Sequence, residues 1–219
     1  MKRIALIFCA ASTLLFACNS DKKDTTKETD SKMPSDTAAA VSEKKWIPVD
    51  SAMMNKAWAE SMAITEQHKM MAKSTGTWNA DITMWMEDGA PPSKSTGTCV
   101  NTMLFNGLYQ QSKHTATMMG MPFEGMGITA YDNTLKKYVA TWIDNMGSGI
   151  LVMTGNWDDA SKSLKLSGTM KNPANGLDCT MREEFKPIDD NTQMMTMYGP
   201  DGKTGKEYKT MEITYTRKK

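Results

Sequence analysis

Two carboxylates, Glu124 and Asp144, are the acidic side chains whose positions best suit acid–base chemistry. They lie in residues 122–157, where the sequence has the pattern of three consecutive β-strands joined by short turns. In that pattern Asp144 ends a strand on the same face as Tyr138 and Trp142, and Glu124 begins the preceding strand at the same end. No nucleophile motif, phosphate-binding loop or dinucleotide fingerprint accompanies them in the sequence. We therefore predict no catalytic residues and no enzyme; these four side chains either contact a ligand or fix loops through hydrogen bonds.

His114 is the one histidine on a predicted strand, and Met118, Met119 and Met121 follow it closely. Imidazole and thioether ligands together suit Cu(I), and a strand histidine could also be an axial haem ligand. The 22 methionines are, however, spread over the helix and nearly every strand, as expected of adaptable core residues. Zinc is disfavoured because there are two histidines and no C-x-x-C pair, and because His68 falls on the apolar side of a helix. We predict no metal and no cofactor, and we include His114 among the residues that contact an apolar ligand.

The four cysteines fall in two groups. Cys9 lies in an apolar leader and Cys18 directly follows that leader, whereas Cys99 and Cys179 lie in the strand region. An oxidising compartment would permit a disulfide between Cys99 and Cys179. The sequence does not show whether their Cα atoms come close enough to be bridged, so the pairing stays open.

Residues 1–17 have the form of a secretory signal, with a basic start followed by a short apolar run. The run is too short for a spanning helix, which needs ~20 apolar residues. It ends in LFAC, which resembles the bacterial lipobox and predicts that Cys18 is lipidated. Asn19 in the next position resembles lipoproteins that are sent to an outer membrane. We therefore predict a protein of the cell envelope that is lipid-anchored in the outer membrane and faces either the periplasm or the cell surface.

Residues 18–45 are polar and of low complexity, so they bury too little apolar surface to fold and are predicted to form a disordered tether. The net charge of the chain is +1, with both signs interspersed and no basic stripe, which excludes nucleic acid as a partner. The predicted partners are a membrane, through the lipid anchor, and a small apolar ligand. No protein partner can be named from the sequence.

One helix is predicted in residues 46–75, with Asp50 or Ser51 as its N-cap. An apolar stripe at helical spacing predicts that the helix packs on the domain that follows. The residues on the stripe are Met54, Ala57, Trp58, Ser61, Met62, Ile64, His68 and Met71.

Residues 76–219 contain about ten predicted strands and no segment suited to a crossover helix. The strands are predicted at 76–86, 95–105, 108–118, 123–131, 136–143, 150–157, 162–170, 178–187, 192–198 and 206–217. Sequential hairpins give an antiparallel meander, and closing it into an up-and-down barrel removes its two exposed edges. Tight turns follow the even strands, whereas most odd strands are followed by longer or Gly- and Pro-rich loops, including 119–122. One end of the barrel is therefore predicted to be tight and the other to be the mouth.

Trp78 and Arg217 are predicted to meet where the first and last strands pair. Trp78 shares a face with Ile82 on the first strand, and Arg217 shares a face with Ile213 on the last. In a closed barrel these strands are antiparallel neighbours, so the end of one meets the start of the other. Arg over Trp at the tight end would be a structural lock contributing on the order of 1–2 kcal/mol.

The chain resembles the domain-of-unknown-function 1579 family at PFEGMGITAYDN, KKYVATWIDNMGSGI and the closing MEITYTRK. The likeness runs from about residue 68 to 217 and includes the Gly76-Thr77-Trp78 motif, the G-x-W of lipocalin-like barrels. The resemblance implies a lipocalin-like or calycin-like β-barrel and gives no established activity. This chain departs from the family in having Met at many positions where Leu or Val is commoner.

Fold and composition together predict a barrel that binds a small, mostly apolar molecule in the cell envelope. The alternative is a structural or protein-interaction module whose barrel is filled by its own side chains. The sequence does not decide between them, because a ten-strand barrel can be hollow or filled.

Overall fold

The computed structural model describes residues 45–219, and most of them form a closed barrel of ten antiparallel strands. The strands are β1 (Gly76–Met84), β2 (Ser93–Leu104), β3 (Tyr109–Met118), β4 (Met121–Asp132), β5 (Lys137–Asp144), β6 (Leu151–Asp158), β7 (Ser163–Lys171), β8 (Asp178–Asp189), β9 (Thr192–Pro200) and β10 (Glu207–Arg217). Each strand pairs with the next one in sequence, and β10 pairs with β1. The predicted fold class, mainly β with a closed up-and-down barrel, is confirmed.

The pairing of β1 with β10 has the register that the alternation of apolar residues predicted. Trp78 lies opposite Arg217, and Met84 lies opposite Met211. Because directly opposed residues project to the same face, the inward-facing row continues across this seam. Every strand of the barrel thus has two neighbours, and no strand edge is left to template association.

The two ends of the barrel differ in their connections. The closed end carries the connections at 105–108, 133–136, 159–162 and 190–191, and the open end carries those at 85–92, 119–120, 145–150, 172–177 and 201–206. The loop predicted at 119–122 is shorter than expected. It is a two-residue turn in which Met119 and Gly120 have φ values of 51° and 78°. Pro122 is already part of β4, opposite Thr117.

Two helices precede the barrel, α1 (Ser51–Ser61) and α2 (Glu66–Ala72), where one continuous helix was predicted. Asp50 caps α1, as predicted, by accepting a hydrogen bond from the Met53 amide at 2.7 Å. The prediction that the apolar stripe packs on the barrel is wrong for α1, which has no buried residue. Met54 and Trp58 on α1, and Met62 and Ile64 just after it, are all exposed. Only His68 and Met71, both on α2, are buried.

The helical stretch is divided because two different devices hold its parts. The Asn133 side-chain amide, in the β4–β5 turn, donates to the carbonyls of Ser61 and Ala63 at 3.1 and 2.8 Å. This holds the chain at the end of α1, and the capping box of Thr65 and His68 then starts α2. The short α2 is sufficient to cover the closed end, so α1 is left outside.

The closed end is sealed by hydrogen bonds to the end of α2. The Ser74 carbonyl accepts from Trp78 Nε1 at 2.9 Å and from Asn101 Nδ2 at 3.1 Å, and Gln110 Nε2 donates to the Met71 carbonyl at 2.6 Å. Buried polar side chains of the barrel thus donate hydrogen bonds to backbone carbonyls at the end of α2 and just after it. The barrel is therefore closed at one end by protein.

The predicted signal (1–17), the lipidated Cys18 and most of the predicted tether (18–45) lie outside the described residues. Within residues 45–219, no helix is long and apolar enough to cross a membrane.

Candidate functional site

The barrel interior contains two separate groups of buried side chains. The first is formed by Trp78, Ala80, Ile82, Cys99, Met118, Met195, Ile213 and Tyr215, and the second by Met71, Tyr138, Ala140, Leu151, Met153, Leu164 and Leu166. The first group comes mainly from β1, β2, β9 and β10, the second from α2, β5, β6 and β7. A domain filled by its own side chains usually has one contiguous core. Phe185 is half-buried and packs against both groups, so it joins them within the barrel.

Glu183 of β8 faces the interior of the barrel. It lies opposite Leu166 of β7 and Met197 of β9, and the same alternation points Met181 and Phe185 inward. Among the described residues the Glu183 carboxylate makes no hydrogen bond or ion pair, and the residue is half-buried. Burial raises the pKa of Glu183 from 4.5 to about 7. The carboxylate therefore lines the interior without a partner.

His114 of β3 lies on the same interior. Its ring makes edge contacts with the Trp142 indole at a centroid distance of 5.1 Å and with the Tyr215 ring at 6.0 Å. Its Nε2 is 3.5 Å from the Cys99 sulfur. Burial lowers the pKa of His114 to about 4, so the ring is neutral at physiological pH. A neutral imidazole keeps both a donor and an acceptor available.

Cys99 and Tyr215 complete an interior polar cluster, which we define as Cys99, His114, Glu183 and Tyr215. The Cys99 thiol donates to Asn101 Oδ1 at 3.2 Å, and burial raises the pKa of this thiol to about 12. The pKa of Tyr215 is raised well above its usual value, first by burial and then by the charges of Cys99 and Glu183.

An aromatic wall stands beside this cluster. Trp142 stacks on Phe123 with a centroid distance of 6.5 Å and an interplanar angle of 18°. Gly125 lies under the indole, and a Cβ atom at that position would overlap the ring. The indole is fixed at its edge as well, because Nε1 donates to Asp144 Oδ2 at 2.7 Å. Asp144 Oδ1 accepts from the Met146 amide at 2.9 Å, which ties the ring to a loop of the open end.

The structure brings three of the five predicted ligand-binding residues together. His114 and Trp142 are in contact, and Asp144 is bonded to Trp142; the predicted common face of Tyr138, Trp142 and Asp144 is present. Tyr138 lies deeper, packed edge-on against Tyr131 at 5.0 Å and 1% exposed. Its hydroxyl has no hydrogen-bond partner within residues 45–219.

Glu124 is placed on the other side of the sheet. Its neighbour Gly125 lies opposite Asp144, so Glu124 projects outward and is exposed. Its backbone exchanges hydrogen bonds with Asn145: the Asn145 amide donates to the Glu124 carbonyl at 3.0 Å, and Asn145 Oδ1 accepts from the Glu124 amide at 3.1 Å. The expected pair of carboxylates at the mouth is therefore not formed by Glu124 and Asp144.

Cys99 and Cys179 do not form the disulfide that the sequence left open. Both are free thiols. Cys99 lies on β2 and Cys179 on β8, and the ring order places β1, β10 and β9 between these strands. The distance around the barrel is too great for a bridge.

The copper candidates are separated in the structure. Met119 and Met121 are exposed at the open end, whereas His114 faces the interior and Met118 is buried. Within residues 45–219, no group of three His, Cys, Asp or Glu side chains is placed to hold a metal ion.

Glu183 is the site residue that sequence reasoning missed. The sequence signal that could have identified it is a carboxylate within an otherwise apolar row of alternate residues on β8. That row is Cys179, Met181, Glu183 and Phe185. A charge at such a position is unusual, because burying a carboxylate without a partner is costly.

A closed antiparallel up-and-down barrel, with a helix covering one end and longer loops at the other, has the architecture of lipocalin-type proteins. More particularly, the chain belongs to the family described as Protein of unknown function (DUF1579), whose model matches residues 63–217. The predicted family membership is confirmed.

Two solved structures show the same fold at low sequence identity. One is the S-type phycobiliprotein lyase CPES from Guillardia theta, with a TM-score of 0.50 and 9% identity over 74% of this chain and 97% of that one. The other is Rv2717c from M. tuberculosis, with a TM-score of 0.53 and 9% identity over 72% of this chain and 100% of that one. No curated protein sequence matches this chain significantly. At this identity the likeness concerns the fold alone.

Proposed function

We propose that this protein is a non-catalytic binding module that holds a small, mostly apolar molecule inside its barrel. The observation that carries the proposal is that several inward-facing side chains of the barrel are half-accessible rather than buried. His114, Phe123, Trp142 and Glu183 are among those half-accessible residues. Side chains that filled the barrel would bury one another fully.

The open end supplies the way in. The closed end is sealed by α2 and its hydrogen bonds, whereas the loops of the open end leave shallow depressions at the rim. One is lined in part by Met170, Cys179 and Met181 and has a volume of about 190 Å³. Met181, which lines this depression, belongs to the same inward-facing row of β8 as Glu183.

The test is binding of an apolar fluorescent dye to residues 46–219, with a variant that fills the interior. Ala116 faces inward on β3 opposite Phe123, and Ala130 faces outward on β4 opposite Tyr109. We expect Ala116→Phe to weaken dye binding and Ala130→Phe to leave it unchanged, with both variants checked for folding by thermal denaturation. Equal binding by the two variants, or no binding by the wild type, would favour a filled barrel that acts as a structural or interaction module.

We further propose that the chain reaches the cell envelope as a lipoprotein anchored through Cys18 in the outer membrane. The lipobox-like LFAC sequence supports this. Metabolic labelling with a palmitate analogue tests it: the wild type should be labelled and sediment with outer membranes. Cys18→Ser should be unlabelled, and labelling of that variant would contradict the proposal.

A further inference from the structure

We infer that the barrel selects apolar molecules that carry one basic nitrogen, with the Glu183 carboxylate as the counter-ion for that nitrogen. This inference rests on the proposed binding function and specifies the chemical class of the ligand.

The first argument is charge. No basic side chain of the described barrel is available to neutralise Glu183. Arg182, next to it in sequence, points outward and forms a bidentate pair with Glu207 at 2.7 and 2.8 Å. Lys165 on the neighbouring strand also points outward and is bonded to Asp158. The inward-facing Arg217 is at the closed end, where backbone carbonyls occupy its guanidinium.

The second argument is the nature of the groups that face Glu183. Its strand neighbours contribute Leu166 and Met197, which are apolar. The titratable groups that face the interior include His114, Cys99 and Tyr215, which burial holds in their uncharged forms. Tyr138 and Asp144 also face inward, and neither supplies a positive charge. A buried carboxylate among neutral groups is stabilised most by an added cation, which offsets its desolvation.

The third argument concerns the rest of the ligand. Phe123 and Trp142 offer a stacked aromatic wall, and Met181, Met197 and Met211 contribute flexible thioether side chains from β8, β9 and β10. Such a lining accepts an apolar body of irregular shape. Asp144 at the rim is a second inward-facing carboxylate, and its oxygens accept hydrogen bonds from Trp142 Nε1 and the Met146 amide.

Three probes with the same naphthalene ring separate the contribution of the apolar ring from that of the charged group. They are 1-naphthylmethylamine, 1-naphthalenemethanol and 1-naphthoate. Their binding to the full-length protein would be measured by calorimetry at pH 8, where Glu183 is ionised and the amine is protonated. We expect the amine to bind at least about tenfold more tightly than the alcohol, and the carboxylate to bind most weakly. Glu183→Gln should remove the preference for the amine while keeping the affinity for the alcohol.

Two variants control the experiment. Glu124→Gln removes an exposed carboxylate from the outer face and should keep the preference. Glu183→Asp keeps the charge and should retain part of the preference, even if Glu183→Gln alters the fold. Equal affinity of wild type for amine and alcohol would overturn this inference and leave the binding function standing. Tighter binding of naphthoate than of the amine would also overturn it, and failure of all three probes would count against the binding function itself.

Discussion

The Arg217 guanidinium lies 4.1 Å from the centre of the Trp78 indole, at the point where the last strand of the barrel meets the first. The same guanidinium donates to the carbonyls of Lys73, Thr75 and Asp190 at 2.9, 2.7 and 2.8 Å. One side chain thus connects the end of α2, the β8–β9 turn and the β1–β10 seam. The contact predicted from the sequence is present, and its hydrogen bonds to three carbonyls were not anticipated.

Replacing Arg217 should destabilise the closed barrel. We expect Arg217→Ala to lower the free energy of unfolding by about 2–4 kcal/mol, because it removes a cation–π contact and leaves carbonyls without donors. Arg217→Lys keeps the charge but not the planar fork, so its cost should be intermediate. Urea denaturation measures both. If Arg217→Lys proved as stable as the wild type, the fork geometry would be unimportant.

Glu183 should make the protein less stable as the pH rises. Its pKa is raised from 4.5 to about 7, so between these values the native state keeps a proton that the unfolded chain releases. The free energy of unfolding therefore falls as pH increases through this range and levels off above it. Glu183→Gln should be more stable than wild type at pH 8 by about 1–3 kcal/mol, a range that allows for partial solvent screening. The two proteins should be equally stable at pH 4, and a stability difference that persists there would indicate a packing effect instead.

His114 should have the opposite effect on the pH dependence of stability: it should make the protein less stable as the pH falls. Its pKa is lowered from 6.5 to about 4, so on acidification the unfolded chain takes up a proton before the native state does. Stability is then lost as pH falls from 6.5 to 4. In the wild type the slopes of Glu183 and His114 oppose each other, so its stability should vary little between pH 4.5 and 6.5. His114→Gln should unmask a fall in stability with rising pH, which thermal denaturation across that range would detect.

The two thiols of the barrel should react at very different rates. Cys99 is 3% exposed and its pKa is raised to about 12 by burial, so it has almost no thiolate at neutral pH. Cys179 is partly exposed near the open end. We expect iodoacetamide to label Cys179 in the native protein and Cys99 only after denaturation, as read by mass spectrometry. Non-reducing electrophoresis should show no internal disulfide; recovery of a Cys99–Cys179 peptide would contradict the structure.

A methyl group at Gly125 should disturb the aromatic wall. The added Cβ would overlap the Trp142 ring, so Gly125→Ala should displace the indole, shift its fluorescence and weaken ligand binding. Gly147→Ala is the matched control, because nothing lies within 4 Å of the Cβ position there. An unchanged emission spectrum in Gly125→Ala would show that the wall tolerates the methyl group.

Alternation along single strands was predictable from the sequence, because the side-chain period of a strand is fixed. It correctly placed Tyr138, Trp142 and Asp144 on one face, and it set Trp78 opposite Arg217 once closure was assumed. The outward position of Glu124 required the register between β4 and β5. A one-residue difference in register moves a side chain to the other face, and the length of the β4–β5 turn sets that register.

Features that depend on the order of all ten strands around the barrel could not be predicted from the residue pattern of single strands. The separation of Cys99 from Cys179 follows from the order of strands around the barrel. The exposure of α1 follows from how little helix is needed to cover the closed end. Glu183 is different, because its inward position was available from alternation alone; only the absence of a partner required the structure.

The Asn133 bonds that hold the chain after α1 have a consequence for how the protein would operate. They join the N-terminal side of the chain to the closed end, and α2 continues from there into the seal. Under the proposed function, ligand exchange would take place at the open end, the pole of the barrel opposite to α2 and the Asn133 bonds. A molecule could then enter and leave without disturbing the hydrogen bonds that hold the two helices to the closed end.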